Sequence, residues 1–135
     1  MAGEIQLTTL LEQMKPILNE GQYVFCSFND LDPLYLKKAI GMFREKEGVT
    51  LIMERGIADE FKLSYQLICS WITLTIHSSL EAVGLTAAFS GALSNAGISC
   101  NVVAAFYHDH IFVPREDTGR ALEILAGLGK EAKDV

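Results

Sequence analysis

The feature that most constrains this chain is a change of hydrophobic period in its second half. From Trp71 to His77, the apolar Ile72, Leu74 and Ile76 alternate with Trp71, Thr73, Thr75 and His77. That period of two gives a strand one buried and one more polar face. From Ala82 the period becomes helical, with Leu85, Phe89, Ala92, Leu93 and Ala96 on one face and Gly97 placed for a left-handed cap. A strand that turns into a helix between His77 and Thr86 must lay that helix back over its own sheet.

Downstream, Cys100 to Phe106 reads as a strand, His108-Asp109 as a tight turn and Ile111 to Val113 as its hairpin partner. Pro114 stops the strand, and Ala121, Leu122, Leu125 and Leu128 mark a last amphipathic helix. The order strand, helix, strand, strand, helix is the split βαβ motif without its final strand, so that strand must come from elsewhere.

Upstream, Leu7, Leu10, Leu11, Met14, Ile17 and Leu18 have helical spacing, with Thr9 and Glu12 in capping-box relation and Pro16 set to shorten or kink the helix. Residues 23–28 read as a strand ending in an Asn29-Asp30 turn. A strand pair is expected over about 41–44 and 49–53, turning at Glu47-Gly48, and a short helix over 57–61. This divides the chain into halves at 1–68 and 69–135. The helix and strand within residues 7 to 28 are surplus to the first half and match what the second lacks, which predicts that the halves interlock. Val49–Glu60 and His110–Ala121 share a pattern of strand, charged cap and short helix.

Bulk properties narrow the function classes. At 135 residues, half apolar and 21% charged, the chain can bury roughly two thirds of its unfolded surface without a disulfide or metal. A formal charge of −6 with scattered Lys and Arg argues against nucleic acid as a partner. No apolar run approaches the ~20 residues of a membrane span, and the start lacks the order of a signal peptide. A cytoplasmic protein with no membrane partner is the expectation. Cys26, Cys69 and Cys100 are odd in number and sit in apolar runs, as buried free thiols do.

Three segments could carry chemistry. In the turn from His77 to Thr86, a starting helix directs unpaired N–H groups and partial positive charge outward, which suits a carboxylate. Ser78 and Ser79 offer hydroxyls, and Gly84 permits close approach. The plainer alternative is that the serines cap the helix and the glycine serves packing. His108-Asp109-His110, with or without His77, has metal-ligand residue types, but alternate strand residues face opposite ways, which favours a polar hairpin turn. Cys100 or Cys26 with a histidine would make a nucleophile only if exposed in an electropositive setting, whereas both lie in apolar runs. No catalytic residues, metal site or cofactor are assigned.

The run Trp71-Ile72-Thr73-Leu74-Thr75-Ile76-His77-Ser78-Ser79-Leu80-Glu81-Ala82-Val83-Gly84-Leu85-Thr86-Ala87, followed by Ala96-Gly97-Ile98-Ser99-Cys100-Asn101-Val102 and then Tyr107 to Pro114, resembles an ACT domain. The resemblance is to the tandem kind found in aspartate kinase regulatory regions, in small stand-alone bacterial proteins and in animal cytosolic arginine sensors. It implies an α+β fold of tandem ferredoxin-like βαββαβ modules, with antiparallel sheets covered by helices on one face. It also implies a non-enzymatic regulatory protein that binds a small effector, an amino acid, and responds through its dimer arrangement. The implied ligand residues are Ser78, Ser79, Leu80, Glu81, Val83, Gly84 and Thr86 on the turn, with Asn101 and Val102 on the neighbouring strand. The turn carries serines where the family commonly has glycines, and glycine is delayed to position 84. Trp71, Thr73 and Thr75 on the strand, or Gly84, Ala88 and Gly91 on the helix, offer surfaces for a homodimer. The competing expectation is a purely structural interaction domain with no ligand.

Overall fold

Pro16 decides how the chain begins. The computed structural model describes residues 2–75 and 84–133, with helix α1 over Ala2–Gln13 and a short strand β1 over Pro16–Leu18. The helix expected over 7–18 therefore lies further towards the N-terminus. Thr9 and Glu12 fall inside it, and Ile17 and Leu18 are extended. Proline has no N–H to donate within a helix and drives its predecessor extended, so it ends the helix rather than kinking it.

The chain forms two compact units, one of Met1–Asn19 with Trp71–Val135 and one of Glu20–Ser70. Relative to halves at 1–68 and 69–135, the first 19 residues belong with the C-terminal unit. That unit contains β5 from Trp71 onward (β5 spans Cys69–Leu74), α4 (Leu85–Asn95), β6 (Asn101–Ala104), β7 (Asp109–Pro114), a 3-10 turn (Arg115–Asp117) and α5 (Thr118–Lys133). Its strand order is β1-β5-β7-β6. β1 runs antiparallel to β5 through Pro16↔Leu74, Ile17↔Thr73 and Leu18↔Ile72. β1 thus takes the place of the final strand of a βαββαβ module. The segment expected over 23–28 does not fill that place; it belongs to the other unit.

One face of this sheet carries the helices. Leu10 and Met14 of α1, Leu85, Phe89 and Leu93 of α4, and Ala121 and Leu125 of α5 pack with Ile72, Leu74, Ile111 and Val113. Gly97, with φ +76°, follows α4 in the expected left-handed conformation. β6 and β7 pair from Asn101↔Phe112 to Ala104↔Asp109. The hairpin turns at Phe106-Tyr107, with Ala105 N–H donating to the His108 carbonyl at 3.1 Å. Strand expected to reach Phe106 stops at Ala104, and Asp109, expected in the turn, is the first residue of β7. Two aromatic residues of high strand propensity occupy the tip, 84% and 70% exposed, which is why the pattern misplaces the turn.

The Glu20–Ser70 unit repeats the plan with β2 (Tyr23–Phe28), α2 (Pro33–Lys38), β3 (Ala39–Arg44), β4 (Val49–Glu54) and α3 (Arg55–Glu60). The antiparallel order is β3-β4-β2, and Tyr23 on the other side of β2 pairs with Cys69. Helix α2 was not anticipated, although Asp32-Pro33 is a helix-start signal: the Asp32 carboxylate accepts from Leu34 N–H at 2.9 Å, and proline stands at the first turn. Val24, Cys26, Leu51, Met53 and Ala58 form this core. All three cysteines are free, Cys26 and Cys69 buried and Cys100 half-buried. Among the described residues no helix is long and apolar enough to cross a membrane. The fold is α+β, with two ferredoxin-like modules.

Phe89 has no exposed surface and belongs to the core cluster that brings three helices together with the sheet. Phe89→Ala should lower unfolding stability by about 3–5 kcal/mol, read as a shifted midpoint in urea denaturation.

Candidate functional site

The turn expected to meet a ligand opens α4. His77, Ser78, Ser79, Leu80, Glu81 and Val83 lie outside the described residues. Gly84 is the N-cap of α4, with φ +89°, no side-chain cap and its carbonyl accepting from Ala88 N–H at 2.8 Å. The capping position expected of Ser78 or Ser79 is therefore held by glycine. The positive φ favours a residue without Cβ, and a Cβ here would stand 3.3 Å from Leu7 Cδ2 on α1. Gly84 thus seats the start of α4 against α1.

The other described candidates separate in space. Thr86 is exposed in the first turn of α4, where its carbonyl accepts from the Ser90 hydroxyl at 2.6 Å. Val102 packs against the helix-side core. Asn101 is exposed and pairs with Phe112, on the opposite sheet face. Strand alternation prevents Asn101 and Val102 from facing one pocket.

Beside α4 runs an open groove of about 530 Å³, lined by Ala87, Ser90, Gly91, Ser94, Ile98, Ser99 and Cys100. No lining side chain is charged; three carry hydroxyls. Ser90, Ser94 and Ser99 were not singled out in the sequence. The signal available was the spacing of Ala87, Gly91 and Ser90, Ser94, each pair four apart and therefore on adjacent tracks of one helix face. Of the small-residue track Gly84, Ala88 and Gly91, only Gly91 meets this groove. Burial pushes the thiols of Cys100 and Cys26 up, which depletes the thiolate a nucleophile would need.

A second polar cluster lies on the sheet face away from the helices. The Trp71 indole N–H donates to His110 Nδ1 at 3.0 Å, and Thr73 Oγ1 is also 3.0 Å from that nitrogen. Asn19 Nδ2 donates to Thr73 Oγ1 at 2.9 Å and to the Trp71 carbonyl at 3.2 Å. Burial is the main influence holding His110 below the usual histidine range; His108 adds to it and Asp109 opposes it. Burial likewise raises the Asp109 carboxyl, against the pull of His110. The His108 and His110 rings stand 6.5 Å apart at 82°, and Nδ1 of His110 is committed to the indole. Among the described residues no three His, Cys, Asp or Glu side chains are grouped to hold a metal ion.

The equivalent strand-to-helix turn of the Glu20–Ser70 unit has different chemistry. There Asp32 caps α2 with its own carboxylate, close in sequence to Asp30. A ligand carboxylate would meet like charge at that turn.

Residues 2–70 match a family model described as ACT domain, and residues 66–127 match a second model of the same description. No curated protein matches the chain. Among solved structures, a Vibrio cholerae protein of unknown function, described as a possible transport protein, is 47% identical, with a TM-score of 0.86 over 94% of this chain and 98% of that one. The ligand-free regulatory subunit of aspartate kinase from Thermus thermophilus aligns with a TM-score of 0.58 at 9% identity, covering 84% of this chain and 95% of that one. Aspartokinase III of E. coli, in complex with aspartate and ADP, aligns at 0.60 and 13% identity, covering 84% of this chain and 32% of that one. At such identities the two kinase likenesses are of fold.

Gly84→Val should destabilise the protein by about 1–2 kcal/mol through the positive φ alone, with the Leu7 contact adding to it. Gly91→Ala, in open space, should leave stability unchanged or slightly raised. Paired chemical denaturation curves check both.

Proposed function

Given that the chain belongs to the ACT-domain family, we propose that it is a non-enzymatic regulatory protein whose effector is an amino acid, bound once per chain at the C-terminal unit. The observation that carries this reading is the uncharged groove of Ser90, Ser94 and Ser99 along α4. Hydroxyls and small residues suit a compact polar molecule, and the helix start suits its carboxylate. In this reading Ser78, Ser79, Leu80, Glu81, Val83, Gly84 and Thr86 form the loop over the carboxylate, and the groove receives the remainder. Asn101 and Val102 flank the site on β6 and shape it through the strand. The start of α2 is already occupied by the Asp32 carboxylate, whereas Gly84 gives α4 no side-chain cap, which supports assigning the effector to the C-terminal unit.

β6 supports the dimer arrangement. It is the last strand of its sheet, and Ile98 to Tyr107 contain no charged residue. Edge strands are ordinarily protected by charge, proline or bulges; this one suits antiparallel pairing with a second copy. In a symmetric register between Val102 and Val103, the partner's Phe106 and Tyr107 come beside Ser99 and Ile98, at the groove wall. Each copy then closes the other's groove, and an effector there favours the paired arrangement through differential affinity.

A thermal-shift screen of the common amino acids tests the effector. At least one should raise the melting temperature, the gain reaching about 2.7 kcal/mol when the ligand is at a hundred times its Kd. Gly91→Trp, which fills the groove, should abolish that gain. If no amino acid acts at millimolar concentration, the ligand-free structural domain is the better account. Val103→Lys should convert the dimer to monomer in sedimentation velocity; a monomeric parent protein removes the dimer from the proposal.

A further inference from the structure

We propose that Trp71 and His110 form a pH-sensitive latch on the helix-free face of the C-terminal unit's sheet, closed while His110 Nδ1 accepts the indole N–H and opened when that nitrogen takes a proton. The latch joins β5 to β7. Indole nitrogen is a donor and never an acceptor, so the 3.0 Å contact requires an unprotonated Nδ1. The ring is therefore the neutral tautomer with its proton on Nε2.

Thr73 makes the two states discrete. Its hydroxyl lies 3.0 Å from the same Nδ1 and accepts from Asn19 Nδ2 at 2.9 Å. A hydroxyl can donate to the neutral ring or accept from the protonated one, whereas the indole can engage only the neutral ring. Protonation therefore keeps Thr73 and releases Trp71 from this contact. The Trp71 ring, now against Phe112 at 6.2 Å and His110 at 5.6 Å, then loses this hydrogen bond to β7.

The surrounding charges set the direction. On β7 itself, His108 opposes a positive His110 and Asp109 favours it, while burial opposes it most strongly. Opposite His110 on β6 stands Val103. No residue from Asn101 to Ala104, from Trp71 to Leu74, or from Pro16 to Asn19 ionises. His110 thus holds its proton less tightly when folded than when unfolded, where its ordinary value is 6.5. The unfolded chain binds more protons in this window, so stability from the latch is complete above pH 6.5 and falls as pH drops through the lower folded value.

Trp71 is the single tryptophan of the chain, so its emission reads the latch in the full-length protein without a label. Titrated from pH 8 to 4.5, the parent protein should show a one-proton change in emission with a midpoint below 6.5, and His110→Gln should lack it. The same transition surviving in His110→Gln overturns the latch. Long-range ¹⁵N–¹H spectra of the parent protein supply a test that needs no folded variant. There are three histidines, and His110 should appear at pH 8 as the Nε2–H tautomer. A proton on Nδ1, or a His110 midpoint at or above 6.5, overturns the proposal. None of these readouts depends on an effector being found.

Discussion

The ladder between β1 and β5 holds the C-terminal unit together. Three residue pairs are extended at one end by Thr75 N–H to the Lys15 carbonyl at 3.1 Å, and at the other by Asn19 N–H to the Trp71 carbonyl at 2.9 Å. Without it, β5 would lose its pairing to β1. With it, α1 follows onto the helix layer, where Leu10 and Met14 enter the same core as Phe89 and Leu125. Each backbone bond contributes only about 1 kcal/mol net; the larger stabilisation is the apolar burial that the ladder positions. Carrying the Glu20–Ser70 unit between the two strands is tolerable because loop-closure entropy rises only with the logarithm of length.

The same N-terminal segment also settles the polar side of β5. Thr73 is buried, and a buried hydroxyl left without a partner would cost about 1–3 kcal/mol. Asn19, one residue past β1, supplies a donor to Thr73 Oγ1 while binding the Trp71 carbonyl through both side chain and backbone. Strand closure and polar satisfaction therefore come from one stretch of four residues, Pro16 to Asn19. This coupling gives the Trp71–His110 contact a fixed frame: the indole is anchored through its own backbone on a strand held from both sides.

Periodic features of the sequence were legible. The alternation Ile72, Thr73, Leu74, the helical stripe Leu85, Phe89, Leu93, the stripe Ala121, Leu125 and the cap at Gly97 all stand where their spacing places them. Burial of one face imposes a period, and the period is visible in one dimension. What was illegible depended on pairing. Nothing local distinguishes Ile17 and Leu18 as a strand, because their partner is β5, more than fifty residues away. Phe106 and Tyr107 look like strand by composition because propensity is blind to hairpin register. At the candidate site, helix α4 was legible from the change of period, with Leu85, Phe89 and Leu93 as its buried stripe. The groove was not, because serines on a helix face have no distinctive spacing until the 98–100 segment is brought beside them.

The two modules show how far a shared topology constrains chemistry. Each has a first strand followed by a first helix, and the first N–H groups of a helix have no intrahelical partner. In the Glu20–Ser70 unit the Asp32 carboxylate takes one of these groups and Pro33 removes another, so the helix start is neutralised from within. In the C-terminal unit Gly84 contributes no side chain to the cap, and the dipole end is left to other groups. A chain built from two similar folds is thereby asymmetric at the start of its first helices. The asymmetry resides at the two cap positions, aspartate in one and glycine in the other, and in no difference of strand order.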